Sequence, residues 1–89
     1  MHAVVVRVTI NDAEAATQAL RANVVPAVSQ APGFVAGYWT RGEGSNQGLS
    51  MAVFESEDAA NAAAERVPSG VPDAVTLDDV EVREVVASA

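Results

Sequence analysis

Pro32-Gly33-Phe34-Val35-Ala36-Gly37-Tyr38-Trp39-Thr40-Arg41, then Gly42-Glu43-Gly44-Ser45-Asn46-Gln47-Gly48, then Leu49-Ser50-Met51-Ala52-Val53-Phe54-Glu55, is the stretch that decides the fold. Pro32 and Gly33 suit the two central positions of a type II turn, because Gly tolerates the positive φ needed at the second. Phe34–Arg41 then reads as a strand. Phe34, Ala36, Tyr38 and Thr40 fall on one face, and Val35, Gly37, Trp39 and Arg41 on the other. The loop Gly42–Gly48 suits a hairpin. Leu49–Glu55 reads as the returning strand, with Leu49, Met51 and Val53 opposite Ser50, Ala52 and Phe54.

Helix and strand signals repeat on both sides of this hairpin. Upstream, His2–Ile10 is β-branched, with Val4, Val6, Val8 and Ile10 on an apolar face and Ala3, Val5, Arg7 and Thr9 on a mixed one. Asn11 followed by Glu14 has the form of a capping box. From Asp12 to Ser29, Ala13, Ala16, Leu20, Val24, Ala27 and Val28 recur at helical spacing. Pro26 interrupts that pattern and predicts a kink or break within residues 22–26. Downstream, Ser56 is an N-cap for an Ala-rich helix reaching Val67, which Pro68-Ser69-Gly70-Val71-Pro72 is expected to end. A last strand starts at Val75 or Val80 and runs to Val86. Its two faces carry Val80, Val82 and Val86, and Glu81, Arg83 and Val85.

The order βαββαβ predicts a ferredoxin-like α+β fold, a single domain over residues 1–89. Right-handed crossovers put both helices on one face of a four-stranded antiparallel sheet. Composition sets the outer limits. Apolar residues make up 49% of the 89-residue chain and charged residues 19%, as in a globular domain. Twelve acidic residues against five Arg and no Lys give a net charge of -7, which disfavours nucleic acid and anionic membranes as partners. There is no Cys for disulfides or thiolate metal sites, and no second His near His2 at metal spacing. No signal-peptide or membrane-spanning pattern is present, so a cytoplasmic location is expected.

Two helices cover one sheet face and leave the other bare. That face measures about 400 Å² for strands of roughly six residues. Strand two presents either Val35 with Trp39 or Phe34 with Tyr38 there. Strand one adds Ala3 and Val5, strand three is expected to add Ala52 and Phe54, and strand four Val85. A patch of this kind exceeds what a monomer comfortably exposes. Covering it is worth up to roughly 10 kcal/mol per subunit before association costs. A homodimer closing sheet on sheet is therefore expected, with small and polar residues leaving the enclosed space partly unfilled.

Ala31-Pro32-Gly33-Phe34-Val35-Ala36-Gly37-Tyr38-Trp39-Thr40-Arg41 and Val53-Phe54-Glu55-Ser56-Glu57-Asp58-Ala59-Ala60 resemble the dimeric α+β barrel superfamily, most of all its antibiotic-biosynthesis-monooxygenase type of domain. Met1-His2-Ala3-Val4-Val5 is similar to the stress-responsive group of that superfamily. The resemblance implies a homodimer with a ligand pocket between each sheet and its helices or loops. Some members oxidise polycyclic aromatics with molecular oxygen and neither metal nor flavin; others degrade haem. The haem-degrading members use a helical His as iron ligand, whereas His2 lies at the chain's start, which disfavours that activity.

Candidate ligand-binding residues are Arg7, Trp39 and Arg41. Trp39 suits stacking on a flat aromatic, or else sheet packing. Arg41 shares its face near the loop and suits a carboxylate or enolate oxygen, or else a salt bridge to Glu43 or Glu55. Arg7 lies mid-strand on the face expected to close, where a charge must be paired or lie in a wet cavity; Glu81, Arg83 or Glu84 of strand four are its expected neighbours. Tyr38 points away from Trp39. Asp78, Asp79 and Glu81 read as a solvated acidic turn. No Ser-His-acid set is available, and no cofactor is expected. Two functions fit: a cofactor-independent monooxygenase-like enzyme for an aromatic or polyketide-like substrate, and a non-catalytic small-molecule-binding or assembly module.

Overall fold

A computed structural model describes the whole chain, Met1–Ala89. The strands are β1 His2–Ile10, β2 Phe34–Arg41, β3 Gln47–Phe54 and β4 Val75–Glu84. They form one antiparallel sheet in the order β2-β3-β1-β4, the ferredoxin-like arrangement. The helical layer comprises α1 Ala13–Ala19, a π-helical turn Leu20–Val24, α2 Val25–Ser29 and, after the hairpin, α3 Glu57–Gly70.

The first helix starts at Asp12, whose carboxylate accepts from the Ala15 N–H at 3.1 Å. The cap is thus Asp12, one residue later than the expected Asn11. Asn11 is held to the start of β4 instead, donating to Thr76 Oγ1 at 3.0 Å. Pro26 neither breaks the helix nor leaves it regular. The Val25 N–H reaches back to the Leu20 carbonyl, five residues away. This wider turn accommodates a proline that has no N–H of its own to continue the α-helical ladder.

Ser56 caps α3 as expected, accepting from the Ala59 N–H at 3.1 Å. That helix runs past Val67 and through Pro68 to Gly70. The stop comes from Pro72: the residue before a proline is driven out of helical geometry, and Val71 is extended at φ −73, ψ 127. Gly33 has φ +81, and the Phe34 N–H donates to the Ala31 carbonyl at 3.2 Å, which closes the type II turn.

Two irregularities decide which side chains meet. A bulge at Val35 lets Phe34 pair with Phe54 while Ala36 pairs with Val53. Phe34 therefore turns towards the helices although Tyr38, four residues on, turns away. Its ring meets that of Phe54 edge-on, with centroids 5.9 Å apart. A second bulge on β4 sets Asp79 opposite Arg7 and Leu77 opposite Val8, leaving Asp78 as the extra residue. The acidic pair is thus part of a strand, not of a turn.

The core lies between sheet and helices around Val4, Phe54 and Ala60, with Val28, Phe34, Val80 and Val82 packed against it. Ala52 and Phe54 belong to this side, because Val4 faces Ala52 across the β1–β3 ladder. The bare face of β3 instead carries Leu49, Met51 and Val53, which corrects the expected assignment. Val85 lies beyond the end of β4. Among large side chains, Phe54 alone is fully sealed from solvent.

Phe54→Ala is expected to cost about 3–5 kcal/mol of unfolding free energy, measured by urea denaturation. Gly33→Ala should cost at least about 1 kcal/mol, because an L-residue resists positive φ and the new Cβ would lie 2.9 Å from that of Ala59.

Candidate functional site

A cavity of about 540 Å³ opens between the sheet and the helical layer. Its floor is the apolar face of β1, continued by Ser50 and Ala52 of β3 and by Trp39 of β2. Its roof is Ala16, Leu20 and Val24 from the first helix and Ala63 and Val67 from α3. At Ala16 and Ala63 the roof offers only a single methyl, and space remains beneath them.

Trp39 owes its pose to a glycine. A Cβ on Gly37 would lie 2.8 Å from the Trp39 ring carbon Cη2 and 2.9 Å from Cζ3. With no side chain there, the indole folds back along its own strand, beside Phe34. Trp39 and Arg41 share a face at i and i+2 and both line the cavity.

The charged residues around the cavity are Arg21, Arg41 and Arg66, and its lining holds no Asp, Glu, His or Tyr. Arg21 comes from the π-helical turn, Arg41 from the end of β2 and Arg66 from α3. None of the three is ion-paired: the protein's salt bridges are His2–Glu57, Arg7–Asp79, Arg7–Glu81 and Arg83–Glu81. Arg41 thus has neither Glu43 nor Glu55 as a partner. Sequence reasoning did not single out Arg21 and Arg66, since an Arg on a helix reads as solvated surface. The available signal was local: each is adjacent to an inward apolar residue, Leu20 and Val67.

Arg7 is placed differently. It lies on the bare sheet face, 3.1 Å from Glu81 and 3.4 Å from Asp79. Arg83 reaches the same Glu81 oxygen at 2.7 Å. The hydrogen bonds from Arg83 and then Arg7 hold the Glu81 carboxyl below its ordinary value of 4.5. Arg7 and Arg41 do border one space, a polar cleft of about 480 Å³ at the hairpin end with Ser45, Gln47 and Asp78. Trp39 is not part of it. The structure therefore unites Trp39 with Arg41 in the apolar cavity and leaves Arg7 outside. No three His, Cys, Asp or Glu side chains come together in a way that could hold a metal ion. No helix is long and apolar enough to cross a membrane.

No protein-family model matches the sequence, and no curated protein matches it either. Solved structures do. The chain is similar to SnoaB, a cofactor-independent oxygenase from Streptomyces nogalater, with TM-score 0.73 and 22% identity over 98% of this chain and 94% of that one. A mutant of the same oxygenase superposes with TM-score 0.74 at the same identity and coverage. The fold of this chain is the fold of that oxygenase.

Gly37→Ala is expected to displace the indole, read as a shift of emission maximum from Trp39, the protein's one Trp. The Glu81 cluster sets a pH dependence. Its carboxyl binds protons more weakly folded than unfolded, so its stabilisation is present above about pH 4.5 and lost as pH falls through the lowered folded-state value. The difference in urea midpoint between the wild type and Glu81→Gln should accordingly shrink between pH 6 and pH 3.

Proposed function

We propose that this protein is a cofactor-independent oxygenase acting on a small phenolic or polyketide-like aromatic, bound in the cavity beneath the helices. The observation that carries the reading is the cavity's make-up: apolar walls, one indole, unpaired guanidinium groups and no carboxylate. The fold shared with an enzyme of that chemistry supports it.

The reaction class balances without an added reductant. An activated ring methylene and one molecule of oxygen give a ring carbonyl and one water. The methylene carbon loses four electrons and dioxygen gains them. One oxygen atom enters the carbonyl, and the other leaves as water with the two methylene hydrogens. The protein's task is then to favour the substrate carbanion. Arg41 stabilises the phenolate or enolate oxygen over which that charge spreads. Trp39 holds the ring flat against β2. With no His, Asp, Glu or Tyr in the lining, the proton goes to solvent, so the rate should climb with pH along the substrate's own ionisation.

In this reading the protein works as a homodimer in the cytoplasm. Tyr38, Leu49 and Met51 stand 69%, 47% and 44% exposed on the bare sheet face. The tail beyond β4, with Val86 87% exposed, adds apolar area. The charged half of that face, Arg7 with Asp79, Glu81 and Arg83, would border the interface and fix its register. The lack of a side-chain base favours one second reading, a binding module that captures such a ligand without converting it.

Oxygen uptake with an anthrone decides between them. The oxygenase consumes one dioxygen per anthrone, and Arg41→Ala slows turnover by about a hundredfold. Saturable binding without oxygen uptake leaves the binding module. Analytical ultracentrifugation should return twice 9.1 kDa for the wild type and 9.1 kDa for Met51→Asp. A folded wild type sedimenting at 9.1 kDa removes the dimer.

A further inference from the structure

No carboxylate balances the arginines of the cavity, and the distribution of charge over the chain makes that specific. Acidic residues outnumber Arg twelve to five, yet none of them lines the cavity. The two Arg outside it, Arg7 and Arg83, both have carboxylate partners. The three that line it, Arg21, Arg41 and Arg66, have none. They come from three separate elements, so no single local sequence preference gathers them.

All three are exposed side chains at the rim of an apolar space, free to turn a guanidinium towards an anion held inside it. We infer that the cavity selects an aromatic carrying a fixed negative charge, most simply a carboxylate. Arg21 and Arg66, the two helix residues, determine that specificity. The aromatic body lies against Trp39 while its anionic group meets the guanidinium pair. This rests on the reading of the cavity as the ligand site, but not on turnover there.

Two dyes with one aromatic skeleton test it. 1-Anilinonaphthalene-8-sulfonate is anionic, and N-phenyl-1-naphthylamine is its neutral parent. Binding is followed by quenching of Trp39 in 50 mM and 500 mM NaCl. The anion should bind roughly tenfold more tightly at low salt, and the advantage should shrink at high salt. Arg21→Gln and Arg66→Gln should each lose several-fold for the anion and less than about twofold for the neutral dye. Arg83→Gln, on the bare face, should change neither. Equal affinity of the two dyes overturns the inference. So does an equal loss for both dyes in the Arg21 and Arg66 variants, or a loss of the anion in Arg83→Gln. If a variant does not fold, the salt dependence of the wild type decides alone. Charge selectivity without oxygen uptake removes the oxygenase reading and keeps this one. Turnover with a neutral preference does the reverse.

Discussion

The helical layer of this protein stands on alanine, and most other features depend on that. Ala16 of the first helix and Ala63 of α3 project a single methyl towards a sheet whose own contribution is largely valine. Helices approach a sheet only as closely as backbones and capping loops permit, so short side chains leave the gap unfilled rather than closing it. Phe34 and Phe54 fill one end, where the edge-on ring pair plugs the space below Ala60. Beside Phe34 lies the indole of Trp39, which Gly37 allows to fold along the strand. The chain on its own is correspondingly thinly packed. Its stability is open to reinforcement by anything that binds the folded state alone, whether a ligand inside or a protein surface outside.

The two faces of the sheet divide the arginines between them. On the bare face, Arg7 and Arg83 are neutralised by acids of β4: Asp79 stands opposite Arg7, and Glu81 lies within reach of both. On the covered face, guanidinium groups meet hydrocarbon walls and no acid. A chain with a strong overall negative charge has thus kept its carboxylates away from one internal space. That segregation is more informative about chemistry than the fold, which supports many functions.

Element order and type were legible because each element carries its own punctuation: Pro32-Gly33 before β2, the glycine-rich hairpin, Ser56 before α3. The side of β3 was not, since both its faces are apolar and the polar Ser50 lies on the covered side, opposite Val6. Alternation decides a face only when one side is clearly polar. The bulge at Val35 was equally hidden: no residue type marks it, yet it moves Phe34 to the other side of the sheet from Tyr38. Pro26 announced an irregularity near residues 22–26, and the structure has it as a wider turn rather than a break. Pro68 is accommodated inside α3, close to its end. Trp39 and Arg41 could be paired from their spacing alone. Their meeting with Arg21 and Arg66 is a tertiary event that no local pattern encodes.

The π-helical turn makes the roof adjustable. Such a turn is an α-helix carrying one surplus residue, and excising that residue restores the regular ladder. The extra residue is taken up locally, so the helix on either side of the turn keeps its faces. A one-residue deletion between Leu20 and Val24 would therefore leave α1, α2 and every strand in place and alter only the turn, from which Arg21 comes. What the roof presents to the chamber can thus change through a length change confined to one turn, without repacking the sheet beneath it.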